Sequence, residues 1–428
     1  MELFHEYAKG DYVTATSSAP RKAIVIGAGI VGLSTAWHLQ EYGVDVSVIE
    51  RREVGLGASW GNAGWLSPGL ATPLPEPSVL RHGIASLFNS RSPLYIPPRI
   101  DPGLWRFLLR FATYCTQRQW DQAMRYYAPM NALALQAYDE LTNAGVKSPT
   151  HAQPILAAYE HAEQAQPLFQ EVEHLARVGQ TLRVRELSRS EAQKLQPTIS
   201  SKANYVVAID DQRYFDPGLF VQALAEEVRS RGGKILTNTN VTSIANSSSG
   251  VVVGSDDGDH MSDAVILATG TWLGELGSRV GVRTQVRAGR GYSFSVPTEQ
   301  PVTSPIYLPA KRIACTPYRG GLRIGGTMEF RPASAPISRD RVDNLIEASR
   351  PMLDGVRWDE MTDVWVGPRP VSNDGMPLIG STEVANVFVA GGHGMWGITL
   401  GPITGKLIAQ LIATGQHSPV LTPFSPLR

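Results

Sequence analysis

Three glycines at the start of the chain set up the first chemistry. Gly27, Gly29 and Gly32 occupy the G-x-G-x-x-G positions of GAGIVG, with Ile30 and Val31 between the last two. Residues 22–26 before them read as a short apolar strand and residues 33–42 as a helix. A second strand over residues 44–49 then ends at Glu50 and Arg51. In a strand, tight turn and helix of this kind, the first glycine permits the turn and the second lets backbone approach a pyrophosphate. The third lets helix and strand pack closely. The helix N-terminus offers unpaired N–H groups and the positive end of its dipole to the phosphates. Glu50 is placed to accept from an adenosine ribose. The expectation is a dinucleotide site.

The motif alone does not choose between nicotinamide and flavin. Two later segments favour flavin. Ala268, Thr269 and Gly270 end an apolar strand, as a second approach of backbone to a flavin nucleotide requires. GGHGMWG, residues 391–397, follows another strand and precedes a helix. Its small residues let the chain lie against an isoalloxazine ring, with N–H groups near the N1 and O2 side.

The positioning elements form an interleaved pattern. A helix feeding a strand at residues 234–236, turn signals SSSG and DDGD, and a buried strand within residues 262–270 continue the α/β character. Residues 57–77 read as loop, 102–180 as long helices, 283–330 as antiparallel strands, 339–352 as helix and 402–414 as a final helix. The predicted fold class is α/β: a Rossmann-like FAD-binding domain interleaved with an antiparallel-sheet α+β substrate domain. The first takes residues 21–80, 200–280 and 365–428, and the second takes 81–199 and 281–364. Residues 1–20 are expected to be a flexible tail.

Composition narrows the partners. Lys+Arg and Asp+Glu both number 39 in 428 residues, and this balance argues against nucleic acid. Cys115 and Cys315 form neither a metal cluster nor a secreted disulfide framework, so no metal is expected. The N-terminus lacks the basic-then-apolar pattern of a signal peptide, and no apolar run reaches the roughly 18 residues of a membrane span. The expected location is cytoplasmic, with peripheral contact at the inner face of the membrane left open, as is the oligomeric state.

VIGAGIVGLSTAWHLQEYGVDVSVIE, GASWGNAGWLSPG, AGRGYSF, GPRPVSNDGMPLIG and GGHGMWGITLGPITGK, spread over residues 25–406, together resemble the D-amino-acid oxidase superfamily. The bacterial D-amino-acid dehydrogenases are the nearest in pattern. The resemblance implies FAD lying extended across the first domain. Ser59, Asn62, Ala63 and Gly64 would form a flavin-side loop. Val241 would contact the adenine through its backbone, and Gly394, Gly397, Ile398 and Thr399 would lie beside the flavin pyrimidine. It also implies that Arg369 clamps a substrate carboxylate with its planar fork. Tyr292 and Tyr318 are substrate-side candidates, and Arg290 is a further polar candidate that could equally face solvent.

The implied reaction is oxidation of a D-amino acid or D-proline-like compound by hydride transfer from Cα to flavin N5. It gives an imino acid and, after hydrolysis, a keto acid. The cofactor is expected to be non-covalent, since neither His393 nor Cys315 has a motif for attachment. A quinone or another acceptor would take the electrons, with oxidase activity not excluded. The alternatives are oxidation of an N-substituted amino acid or small secondary amine and, from another class, a flavin-containing redox-responsive binding module. Trp65 and the Met395–Trp396 pair depart from the bacterial pattern and bear on pocket shape.

Overall fold

The structure, a computed structural model, describes residues 19–80, 91–97 and 100–428. All but the end of the expected tail lies outside the described residues. Two large sheets organise the rest.

The first sheet has six strands in the order Lys234–Leu236, Asp45–Ile49, Lys22–Ile26, Ala264–Leu267, Val387–Gly391 and Leu378–Ser381. All neighbours are parallel except the last pair. Its central strands are continuous apolar runs, KAIVI and AVIL, because helices and a small meander cover both faces. The strand that follows Lys22–Ile26 in sequence lies on one side of it and Ala264–Leu267 lies on the other. The order therefore reverses at Lys22–Ile26, and the crevice beyond the carboxyl ends of these strands is where ligands bind in such sheets.

The first helix, Ile30–Glu41, packs against Gly397–Thr414. The contact is close because Gly405 carries no side chain; a Cβ there would stand 2.6 Å from the Ser34 backbone. The final helix starts five residues earlier than its sequence pattern indicates, so both helix N-termini open on the same crevice.

The second sheet is largely antiparallel. Its order is Thr362–Ser372, Val286–Pro297, Gly321–Phe330, Ile313–Tyr318, Ile306–Leu308, Ile155–Tyr159, Tyr205–Ile209 and Val184–Leu187, with Leu94–Tyr95 pairing beside Gly321–Phe330. The antiparallel segment expected at residues 283–330 is its centre. Ile155–Tyr159 falls in a stretch read as helical, yet all five residues are buried in this sheet. A short apolar run does not separate a buried strand from a buried helix by periodicity alone. The Gln117–Asn143 helix also behaves differently from its assignment to the substrate part. Its Tyr138 hydroxyl donates to the Ile398 carbonyl at 2.5 Å, so it packs on the final helix of the nucleotide part.

A loop over residues 57–64 joins the two sheets. Ser293 Oγ donates to the Gly61 carbonyl at 2.7 Å and Thr316 Oγ1 donates to the Ala63 carbonyl at 2.5 Å. The sheet face that carries Ser293 and Thr316 is thereby held toward the crevice. Among the described residues, no helix is long and apolar enough to cross a membrane.

Candidate active site

One cleft runs along the carboxyl ends of the first sheet and reaches the second. It is lined by fifteen of the residues singled out for the cofactor: Gly27, Gly29, Ile30, Val31, Glu50, Arg51, Ser59, Asn62, Val241, Ala268, Thr269, Gly270, Gly394, Gly397 and Ile398. Arg369 lines it too. Residues separated by more than 300 positions thus form one continuous surface.

The glycine turn has a steric cause. Gly27 has φ +111°, and a Cβ there would stand 2.5 Å from the Ala268 carbonyl oxygen. Gly32 does not line the cleft. A Cβ at Gly32 would collide with the Gly27 carbonyl, so its role is to let the helix approach the turn. Glu50 ends its strand with Oε2 accepting from the Ala28 N–H at 2.9 Å and Oε1 accepting from the Arg52 N–H at 3.1 Å. These bonds fix the carboxylate at the cleft wall. Ser59 Oγ accepts from the Ile30 N–H at 3.2 Å and ties the 57–64 loop to the helix start.

Three other cofactor candidates work behind the surface. The Ala63 carbonyl receives the Thr316 hydroxyl. Gly64 has φ +75° and its N–H donates to Asn62 Oδ1 at 2.9 Å. Thr399 Oγ1 donates to the Trp65 carbonyl at 3.2 Å. All three hold the loop against its neighbours rather than facing the cleft. Sequence reasoning missed Trp272, whose ring lies 3.5 Å from the Arg51 guanidinium carbon, and also Thr239, Asn240 and Pro370 on the wall. ATGTW carried the signal for Trp272: an aromatic two residues beyond a glycine strand end.

The substrate candidates separate. Arg369 is reached from the cleft, where burial lowers its guanidinium to about 10, and it remains a cation at neutral pH. Its Nη1 donates to the Thr327 carbonyl at 2.7 Å. Among the described residues, no carboxylate pairs with it.

Tyr292 is a correction. In the register of the two strands Gly291 faces Gly367 and Tyr292 faces Val366, so Tyr292 lies on the opposite sheet face from Arg369. It is 1% exposed, and its hydroxyl donates to Glu329 Oε1 at 2.6 Å. Burial, with Glu329 alongside, pushes the phenol up to about 12. Arg290 does not face solvent either. It is fully buried, pairs with Glu329 at 3.2 Å and donates to the Pro336 carbonyl. Tyr318 shares the sheet face of Thr316 but lies outside the cleft lining. The Arg323 guanidinium covers its ring at 4.1 Å and Arg319 flanks it at 4.9 Å. Tyr292 therefore leaves the set of substrate contacts, while Tyr318 stays a candidate on the crevice-facing side of the sheet.

Of the two departures from the bacterial pattern, the first packs behind the cleft lining and the second reaches it. Trp65 meets Tyr307 edge to face at 5.5 Å, and its indole N–H is buried without a partner. Trp396 donates its indole N–H to the Thr72 carbonyl at 2.6 Å, which pins the 391–397 loop to residues 67–75, while Met395 lines the cleft.

His393 is buried beside Thr404, with 2.9 Å between Nε2 and Oγ1, and burial lowers it to about 4. It stays neutral and is not a proton donor at neutral pH. His38 is lowered to about 3, by burial first and then by Lys406 and Arg231. Both titrate near 6.5 when unfolded. As pH falls below that value the unfolded chain binds protons that the fold refuses, so stability drops from about pH 6.5 toward pH 4. The slope is up to about 1.4 kcal/mol per pH unit for each histidine. Urea unfolding at pH 7, 6 and 5 should show this loss, with a shallower slope in His38→Gln. An equal slope in the variant would contradict the buried neutral state.

The cleft fits a flavin dinucleotide on its own terms. A Cβ at Gly270 or Gly394 would meet nothing within 4 Å, so backbone faces open space there. The Thr269 hydroxyl is buried at the same wall without a partner. Two helix N-termini supply N–H groups and dipoles. These features define a two-sheet dinucleotide-binding enzyme with an unpaired arginine at the junction.

Comparison with known proteins agrees with that class. The family described as DAO, FAD dependent oxidoreductase, matches residues 22–411, and the chain belongs to it. It is 27% identical over 411 residues to a D-amino acid dehydrogenase of Bradyrhizobium diazoefficiens, covering 92% of this chain and 95% of that one. It is 28% identical over 412 residues to the D-amino acid dehydrogenase of Vibrio vulnificus, covering 93% and 97%. Among solved structures, glycine oxidase from Geobacillus kaustophilus superposes with a TM-score of 0.71 at 24% identity, covering 96% of this chain and 99% of that one. L-proline dehydrogenase from P. horikoshii superposes at 0.70 with 17% identity, covering 96% and 98%. The chain is an FAD-dependent oxidoreductase with the fold of these enzymes.

Proposed function

We propose that the enzyme oxidises a D-amino acid or a D-proline-like amino acid, passing electrons to an acceptor other than oxygen. The observation that carries this reading is Arg369: a cation inside the cleft with no acidic partner among the described residues. Once FAD and substrate fill the cleft this charge is desolvated and costly unless paired, and a substrate carboxylate supplies the pair with two parallel charged hydrogen bonds.

Bound FAD supplies the hydride acceptor, the flavin N5. The chain's residues place the substrate against it. Arg369 fixes the carboxylate, and the cleft walls then have to tell amine from side chain for one enantiomer to direct its Cα hydrogen at the flavin. The Gly397–Thr414 N-terminus favours negative charge where Gly397 and Ile398 line the wall. Met395 on the cleft wall limits side-chain volume. No side chain is needed as nucleophile or as base, which agrees with a His393 that burial makes a weak base and that is engaged with Thr404. The D preference follows the names of the relatives.

The flavin is non-covalent in this reading. Cys315 is fully buried and pairs with Ile324 on the sheet face away from the cleft, and His393 is engaged with Thr404. Denaturation should release all the FAD. Flavin that stays with the denatured chain would overturn this point.

Anaerobic mixing with amino acids and with the amines that lack their carboxylate tests the substrate class. Amino acids should bleach the oxidised flavin band and the matching amines should not. Reduction by the amines alone would refute the reading. A quinone-type acceptor should reoxidise the flavin faster than oxygen does; rapid peroxide formation with no acceptor advantage would make the enzyme an oxidase.

A further inference from the structure

Gly321–Phe330 breaks its pairing beside Arg369. Arg290 pairs with Glu329, but Tyr292 pairs with Gly326, so the strand carries one extra residue in the interval. Thr327 absorbs it with φ +59°. A β-branched residue in the left-handed region is a genuine outlier, and its hydroxyl is buried without a partner as well. Such strain persists only where the surroundings impose it, and it clusters at functional sites.

What the strained residue presents is its carbonyl. Arg369 Nη1 donates to it at 2.7 Å, and the guanidinium lies across Gly291, where a Cβ would collide with it. The bulge is fixed from the other face. Glu329 accepts from Tyr292 at 2.6 Å and pairs with Arg290 at 3.2 Å, and the Ser338 N–H donates to the Tyr292 hydroxyl at 3.3 Å. The Met328 N–H, next along, donates to the Pro93 carbonyl at 2.6 Å.

We propose that Glu329, Tyr292 and Arg290 form a positioning network that holds the Thr327 bulge, and through its carbonyl the Arg369 fork, in the geometry that accepts a substrate carboxylate. The proposal rests on the carboxylate-anchor reading of Arg369. It gives Tyr292 a role through Arg369 rather than by contact. A network on the far sheet face suits the task because it is dry and unaffected by ligand entry. A displaced fork would lose carboxylate affinity first. The hydride step would change less, because substrate that does bind still meets the same flavin wall.

The test uses FAD-loaded enzyme and two readouts. Acetate, a bare carboxylate, is followed by the shift it causes in the flavin spectrum, and D-alanine and D-proline by anaerobic flavin reduction. Tyr292→Phe should raise the Kd for acetate and for the reducing amino acid by about fivefold, and Glu329→Gln by about 20-fold or more. The limiting reduction rate should stay within about twofold and the FAD content should not change. Leu353→Ala, in the same apolar cluster but away from the bulge, is the control for general loosening. At a comparable loss of melting temperature it should leave Kd within about twofold. If Tyr292→Phe moves Kd no more than this control does, the network is merely structural and the proposal fails, even if Glu329→Gln does not fold. If the wild-type enzyme responds to neither acetate nor any amino acid, the anchor reading fails and the proposal falls with it.

Discussion

Arg369→Ala is expected to weaken binding of a carboxylate substrate by about 100- to 1,000-fold, the equivalent of roughly 3–4 kcal/mol, while the protein keeps its fold and its FAD. The asymmetry follows from the environment of Arg369. Most buried arginines leave an orphaned acid behind when removed. Arg369 has no acidic partner among the described residues, so its loss deprives only the Thr327 carbonyl of a donor. The folded state therefore loses little, and the substrate complex loses a two-pronged charged contact. Arg369→Lys keeps the charge without the planar fork and should recover only part of the affinity, with about a tenfold deficit. Anaerobic titration of flavin reduction gives affinity and limiting rate separately. A folded, flavin-loaded Arg369→Ala enzyme with unchanged affinity would remove Arg369 from the site.

The other large effect lies at the opposite end of the cleft. Gly27→Ala puts a Cβ 2.5 Å from the Ala268 carbonyl at a φ of +111°. The strain and the clash should together cost about 2–4 kcal/mol of stability. Because this turn forms the cleft floor where two strands end, FAD occupancy should fall by at least about tenfold. Gly232→Ala separates the two consequences. Gly232 also has a positive φ, +86°, but a Cβ there meets nothing within 4 Å. That variant should lose about 1 kcal/mol and retain its flavin. Flavin absorbance after gel filtration, with melting curves alongside, decides the matter. Full occupancy in Gly27→Ala would contradict the assignment of the turn.

Local motifs were legible because their physics is local. The strand, turn and helix around Gly27 lie within a few residues of each other, and sterics fix their geometry. The strand ends at Ala268–Gly270 and 391–397 were also readable, since an apolar run stopping at glycines signals backbone exposed to a ligand. The second sheet was legible as a set of strands but not as two faces. Alternation assigns every second residue to one side, and a single extra residue reverses the assignment. Gly291 and Tyr292 are neighbours in sequence, yet one underlies the Arg369 guanidinium and the other faces Glu329. Only pairing with Thr362–Ser372 and the bulge at Thr327 decides which is which, and both depend on contacts distant in sequence. The burial of Arg290 was hidden for the same reason, since its partner Glu329 is 39 residues away. Ile155–Tyr159 shows the limit for elements: five apolar residues fit a buried strand as well as a helix turn.

The most direct test of the central claim is anaerobic mixing of the FAD-loaded enzyme with both enantiomers of alanine and of proline. With the carboxylate held by Arg369, the amine and the side chain take different places in an asymmetric cleft, so enantiomers should differ in transition-state placement as well as in affinity. The account predicts that a D-enantiomer bleaches the oxidised flavin band and that its L-partner does so at least about tenfold more slowly. Equal or faster reduction by the L-enantiomer would contradict it.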